Sequence, residues 1–256
     1  MNLEDFIILI VAGLFSGFVN TLASSGSAIT LPLLLFLGLP ANVANGTNRI
    51  PILASSIISV LTFQHAKVLD WKNGIRLGIP VVIGSITGSF LASIISSKTL
   101  NWAIIAAVVF AFFILLLRPK RWLKEKPAEH LNLVWIQMLI LFVVGLWAGF
   151  IVLDSATYML FALVLGVGYD LIRANAIKSL FLFFVSFSSL LIFYEEHEVN
   201  WKIGGILAAG SMVGGWFGAK MASKEWAKTW IYRALLIVIL GELIHLLYRF
   251  VFIHKL

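Results

Sequence analysis

The 256 residues include no cysteine. That excludes disulfides, thiolate metal sites and cysteine nucleophiles, and says nothing further about compartment. Charge is scarce, at 12% of residues against the roughly 25% of a soluble domain. No GxxxxGK(S/T) run occurs, so nothing supports ATP hydrolysis by a P-loop. His65, His130, His197, His245 and His254 fall at no HExxH or similar spacing. Neither a metal nor a cofactor is expected, and no nucleophile–base pair points to an enzyme. The first apolar run follows Glu4 and Asp5, not the basic leader of a secretory signal, and is read as retained.

What the chain has in abundance is apolar surface. Hydrophobic residues make up 61% of it, and the mean hydropathy is +1.00. A packed soluble core cannot hide so much, so the bilayer is the solvent. The net charge of +7 belongs to basic loops between apolar runs, which is a sign of membrane topology and not of nucleic-acid binding. The runs cover residues 6–23, 28–39, 50–63 (beginning near 43), 74–95 and 100–117. After a basic loop at 118–130 they resume at 133–153, 156–167, 176–193, 203–221 and 231–252. A full crossing takes about 20 residues, whereas 10–14 suits a re-entrant or half-depth segment. The short runs at 28–39 and 156–167 therefore read as halves of broken elements, with short tilted helices as the plainer alternative.

The two sets match each other. Gly13-Leu14-Phe15-Ser16-Gly17-Phe18 answers to Gly145-Leu146-Trp147-Ala148-Gly149-Phe150, and Ala44-Asn45-Gly46 to Ala174-Asn175-Ala176. Asp70-Trp71-Lys72 answers to Asn200-Trp201-Lys202, and Gly84 and Gly88 to Gly214 and Gly218. Placing the loop at 118–130 in the cytoplasm puts most of the 19 Lys and Arg inside, leaving Arg49, Lys98, Lys202, Arg249 and Lys255 outside. The Asp70 loop is then inside and its counterpart at Asn200 outside, so the repeats are inverted and both termini lie outside. The predicted fold is all-α and polytopic, in a cytoplasmic membrane of bacterial or archaeal type. Each of its two inverted repeats has a broken helix pair and three spanning helices, about 8–10 membrane segments in all. The repeats are placed at 1–118 and 132–256, joined by a cytoplasmic linker at 119–131.

Residues 13–49 carry a resemblance. Gly26, Leu31-Pro32-Leu33-Leu34, Gly38-Leu39-Pro40 and Ala44-Asn45-Gly46-Thr47-Asn48 follow one another as in the TauE/SafE family of four-segment-repeat sulfite exporters. Asp70-Trp71 and Gly84/Gly88 resemble that family too. The break here, Ser24-Ser25-Gly26-Ser27, is poorer in Gly than the family pattern, and the second break reads Asp154-Ser155-Ala156-Thr157. The resemblance implies a secondary transporter of small sulfur-containing anions, sulfite or organosulfonates. Its partners are then that anion, the lipid bilayer and, if coupled, protons; a homo-oligomer is compatible with the sequence. A channel or a non-transporting membrane subunit is the alternative.

An anion at mid-membrane needs helix N-termini, a cation and neutral donors. Ser24, Ser25, Gly26 and Ser27 open the short run at 28–39, and Asn20 lies one turn before them; small-residue packing is their other reading. Thr47, Asn48 and Arg49 follow. Arg49 is flanked by apolar sequence and is either a bidentate anion ligand or a side chain snorkelling to the interface. In the second repeat Asn175, Lys178 and Ser179 take equivalent places, with Lys178 as a second cationic contact, an inner gate or a snorkelling lysine. Asp154 follows the long apolar run at 133–153, and is read as the proton-coupling group, an ion-pair partner or a helix cap.

Overall fold

The computed structural model describes residues 3–22, 26–95, 135–153, 155–227 and 233. Ser24, Ser25, Asp154, the run at 100–117, the linker and, apart from Arg233, the last run lie outside the described residues. Every regular element described is helical. In order they are α1 (Leu3–Leu22), α2 (Ser27–Phe36), α3 (Ala41–Thr47), α4 (Arg49–His65), α5 (Trp71–Ile94), α6 (Trp135–Phe150), α7 (Ser155–Phe161) continued by a π-helical turn (Ala162–Val167), α8 (Leu171–Glu195) and α9 (Trp201–Ala222). Three of them, α1, α5 and α8, are long and apolar enough to cross a membrane. The ten residues of α2 rise only about 15 Å, half the hydrocarbon depth of about 30 Å.

The polarity of the helices is that of a lipid-dissolved protein. On α5 the large residues Ile75, Ile79, Ile83, Ile86, Phe90 and Ile94 form one exposed stripe. The opposite face is buried and mostly small: Gly74, Gly78, Gly84, Ser85, Gly88, Ser89 and Ala92, with Leu77 and Val81 among them. Lipid tails are as apolar as isoleucine, so helices associate here by close packing and not by hiding apolar area. The close approaches are measurable. A Cβ on Gly84 would lie 2.2 Å from the Phe142 carbonyl oxygen, and one on Gly88 1.9 Å from that of Leu146. In the other half, Gly214 and Gly218 rest on the carbonyls of Leu14 and Phe18. Thus α5 packs on α6 and α9 on α1, each pair drawn from different halves.

These contacts correct one detail of the sequence match. Leu14 stands where Phe142 stands, and Gly17, which meets Ser211, where Gly145 meets Val81. The structural register of α1 on α6 is one helical turn from the alignment of Gly13 with Gly145. Residues four apart share a helix face, so a short Gly-rich motif matches itself equally well one turn out of place.

The halves also differ. α8 runs unbroken, while its counterpart is split into α3 and α4 at Asn48. Pro51 explains the split: it has no N–H to give the Thr47 carbonyl, and its ring crowds that oxygen. The corresponding position in α8 is Phe181. Each of these helices is entered through a left-handed glycine, Gly38 (φ 84°) and Gly168 (φ 101°), which ends the short element before it.

Candidate functional site

The second expected break is present among the described residues: α6 ends at Phe150, residues 151–153 are not helical, and α7 starts at Ser155. At the first, α1 is described as far as Leu22 and α2 from Ser27, and residues 23–25 between them lie outside the described residues. The two breaks meet: the Ser27 hydroxyl donates to the Val152 carbonyl at 3.5 Å. Gly26, just before α2, accepts from the Ser16 hydroxyl at 2.8 Å. No side chain fits at Gly26, because a Cβ would lie 2.1 Å from the Ser16 carbonyl oxygen and 2.6 Å from Asn20 Cβ.

A helix that stops inside the membrane leaves its last carbonyls without partners, and these carry the negative end of the helix dipole. Here each broken end is met by a cation from the other half. Arg49, on α4, donates through Nη1 to the Ala148 carbonyl at 2.6 Å and through Nη2 to that of Gly149 at 2.8 Å. Lys178, on α8, donates through Nζ to the carbonyls of Asn20 at 2.8 Å and Thr21 at 3.2 Å. Counted back from the starts of the short helices, Ser27 and Ser155, the two sets of carbonyls occupy the same positions. Both cations are 0% exposed, so neither snorkels to an interface. The Phe193 ring covers one face of the guanidinium, its centroid 5.3 Å from Cζ. Among the described residues neither cation has a carboxylate partner.

The amides around the cations are less evenly treated. Asn45 donates to the Phe150 carbonyl at 3.0 Å and accepts from Arg49 at 3.4 Å. Asn175, its counterpart, is fully buried with neither Nδ2 nor Oδ1 partnered. Asn48 accepts from the Thr30 hydroxyl at 2.6 Å, and its Nδ2 has no partner. Arg49 Nε is likewise unpartnered. The buried side-chain nitrogens without a partner among the described residues are therefore Asn48 Nδ2, Arg49 Nε and Asn175 Nδ2. All three sit on the two equivalent segments beside the breaks.

Of the remaining expected residues, Thr47 accepts from the Asn200 N–H at 2.8 Å. Ser179 donates back to the Asn175 carbonyl at 3.0 Å. Sequence reasoning passed over Asn45, Ser16 and Thr30. The match of Ala44-Asn45-Gly46 with Ala174-Asn175-Ala176 was a usable signal for Asn45, since it pairs that residue with Asn175; Ser16 and Thr30 carry no local signal. A separate cavity of about 250 Å³ opens between Asp5, Leu9, Leu37, Asn200, Lys202 and Ile203, away from the breaks.

The family described as "Sulfite exporter TauE/SafE" matches residues 9–245. A probable membrane transporter protein of Haemophilus influenzae is 27% identical over 86% of this chain and 86% of its own. The probable membrane transporter proteins YfcA of Escherichia coli and YunE of Bacillus subtilis are 24% and 26% identical, over 91% and 94% of this chain and 85% and 98% of theirs. No solved structure gives a significant match.

Proposed function

Because the chain belongs to the sulfite exporter TauE/SafE family, a family of membrane transporters, we propose that it carries a small sulfur-containing anion, sulfite or an organosulfonate, by alternating access around the two breaks. One observation supports this above the others. The buried, unpartnered nitrogens at Asn48, Arg49 and Asn175 are all donors, and they stand beside two buried cations. Unmet buried donors and unpaired buried charge are both costly, and an oxyanion answers both demands at once. A sulfonate edge fits the free Nε side of the Arg49 guanidinium and the amides of Asn48 and Asn175; Lys178, with two of its three N–H groups engaged, keeps one to give. Asn20, Gly26, Ser27, Thr47 and Ser179, with Ser24 and Ser25, complete the proposed surroundings.

The rest of the reading follows from the sequence. Two inverted repeats, 1–118 and 132–256, joined by a cytoplasmic linker at 119–131, sit in the cytoplasmic membrane with both termini outside. An inside-negative potential favours anion export by about 2.3 kcal/mol per charge per 100 mV, so uptake requires a coupled cation. Asp154 is the proposed proton-coupling group. Transport by Asp154→Asn that kept the pH dependence of the parent would remove it from that role.

The geometry also favours a second reading, in which Arg49 and Lys178 are structural clips. Each already donates to two helix-end carbonyls. Thermal shift of the purified protein with sulfite, sulfoacetate, sulfate and acetate separates the two. A carrier of this class is stabilised by sulfite or sulfoacetate, and Arg49→Gln loses that stabilisation. If Arg49→Gln lowers the melting temperature of the ligand-free protein yet keeps the full sulfite shift, Arg49 is a clip alone.

A further inference from the structure

Away from the breaks, two loops tie the halves together, and they are built alike. Residues 66–70 join α4 to α5, and residues 196–200 join α8 to α9. Each leaves its helix through a residue of positive φ, Lys67 (58°) and His197 (60°). Each ends on a capping side chain, Asp70 accepting from the Asn73 N–H and Asn200 from that of Ile203. Each then reaches into the opposite half. Asp70 Oδ2 accepts from the Tyr169 hydroxyl at 3.0 Å, with Tyr169 itself buried. At the other loop Asn42 Nδ2 donates to Glu198 Oε1, and the Asn200 N–H donates to the Thr47 hydroxyl. The Glu198 carbonyl fills the space a Cβ on Gly46 would need, 2.2 Å away. In the acidic turn Glu195, Glu196 and His197 are exposed, and Glu198 alone is turned inward, 8% exposed.

The landing points adjoin the site. Tyr169 lies two residues before α8, whose first two turns carry Asn175 and Lys178. Asn42, Gly46 and Thr47 belong to α3, which carries Asn45 and leads through Asn48 to Arg49. We infer that these contacts are the two gates of the carrier: Tyr169–Asp70 latches one mouth, and Asn42–Glu198 with Thr47–Asn200 latches the other. Releasing one exposes the binding segment behind it while the other stays shut. This inference rests on the inverted-repeat carrier reading above. The latches are unequal. Asp70 accepts from the Asn73 N–H, the Asn73 amide and Tyr169. Glu198 Oε2 is buried with no partner. An acceptor left unmet in the closed arrangement disfavours it, so the Glu198 mouth is the easier to open.

The cysteine-free chain makes the test clean, because each single cysteine is the only one present. In proteoliposomes, Ala66→Cys and Glu196→Cys, both on exposed loop positions, report sidedness to a membrane-impermeant maleimide. Ala174→Cys, buried in α8 behind Tyr169, and Ala44→Cys, buried in α3 behind Asn42, report opening. Adding Tyr169→Phe should speed labelling of Ala174→Cys from the side that labels Ala66→Cys, and leave Ala44→Cys unchanged. Adding Glu198→Ala or, separately, Asn42→Ala should do the reverse, from the side that labels Glu196→Cys. The expected change is about threefold to tenfold, the effect of one lost hydrogen bond on an equilibrium. Acceleration of both probes alike by one latch variant, or of neither, overturns the gate assignment. Labelling of Ala66→Cys and Glu196→Cys from one and the same side instead sinks the inverted arrangement. Absence of any anion-induced thermal shift, with the labelling pattern intact, sinks the substrate reading and leaves the gates standing.

Discussion

Arg49 and Lys178 show how a buried cation and a buried helix end solve each other's problem. The carbonyls of Ala148, Gly149, Asn20 and Thr21 need donors, and the cations need partial negative charge. Arg49→Met or Lys178→Met should therefore lower the melting temperature of ligand-free protein, since each strands two carbonyls at about 1–3 kcal/mol apiece before relaxation. An unchanged melting temperature would show that the carbonyls find other partners. Asp70 makes a different prediction, in pH. Burial pushes its carboxyl up, but the side chain and backbone of Asn73, the Tyr169 hydroxyl and the charge of Arg173 outweigh that and hold it below the ordinary range. Burial first, and then the Asp70 charge, holds the Tyr169 phenol above its ordinary value, so it stays a donor. A depressed carboxyl contributes stability above its unfolded value of about 4 and loses it as pH falls through the folded value. The stability difference between the parent and Asp70→Asn should be full at neutral pH and shrink below about pH 4 in thermal melts. A difference that grows in acid would mean the hydrogen bonds to Asp70 are not what hold it.

The helices α1, α5, α6 and α9 meet through glycine and serine, and substitutions there should sort by space and not by hydrophobicity. Gly88→Ala drives a Cβ to 1.9 Å from the Leu146 carbonyl, so α5 and α6 must separate and folded yield should fall steeply in detergent chromatography. Gly205→Ala, in α9, meets nothing within 4 Å and should be neutral or stabilising by about 0.5–1 kcal/mol, as for glycine in a helix interior. Equal behaviour of the two would mean that the helix crossings are not close-packed at Gly88. The interruption between α3 and α4 belongs to this scale as well. Pro51→Ala restores a donor to the Thr47 carbonyl and should fuse the two helices into the counterpart of α8. Melting temperature should hold or rise while sulfite counterflow in proteoliposomes drops several-fold. Undiminished counterflow would show that the interruption at Asn48 is not needed for movement.

For the molecule as a whole, a carrier accelerates labelled sulfite uptake when the vesicles are preloaded with unlabelled sulfite and a pore does not, so preloading should raise the initial rate. That distinction turns on the protein's largest feature, two halves that each supply what the other lacks. Much of this was legible in the chain alone. Apolar excess and scarce charge name the solvent. Short runs at 28–39 and 156–167 mark where helices stop, and the matched segments at Ala44-Asn45-Gly46 and Ala174-Asn175-Ala176 mark the polar residues beside the stops. These are local properties, set by composition and by the lengths of runs against a bilayer of fixed thickness. Only the tertiary structure decided which carbonyls each cation meets, that Asn45 is engaged while Asn175 is not, and that Glu198 alone of its acidic turn faces inward. It also set the register of α1 on α6, one turn from the motif match. The partners of Arg49 and Lys178 lie some hundred residues or more along the chain. Hydrogen-bond partners at that separation follow from how closely two glycine-lined helices approach, and no local pattern in the sequence encodes that distance.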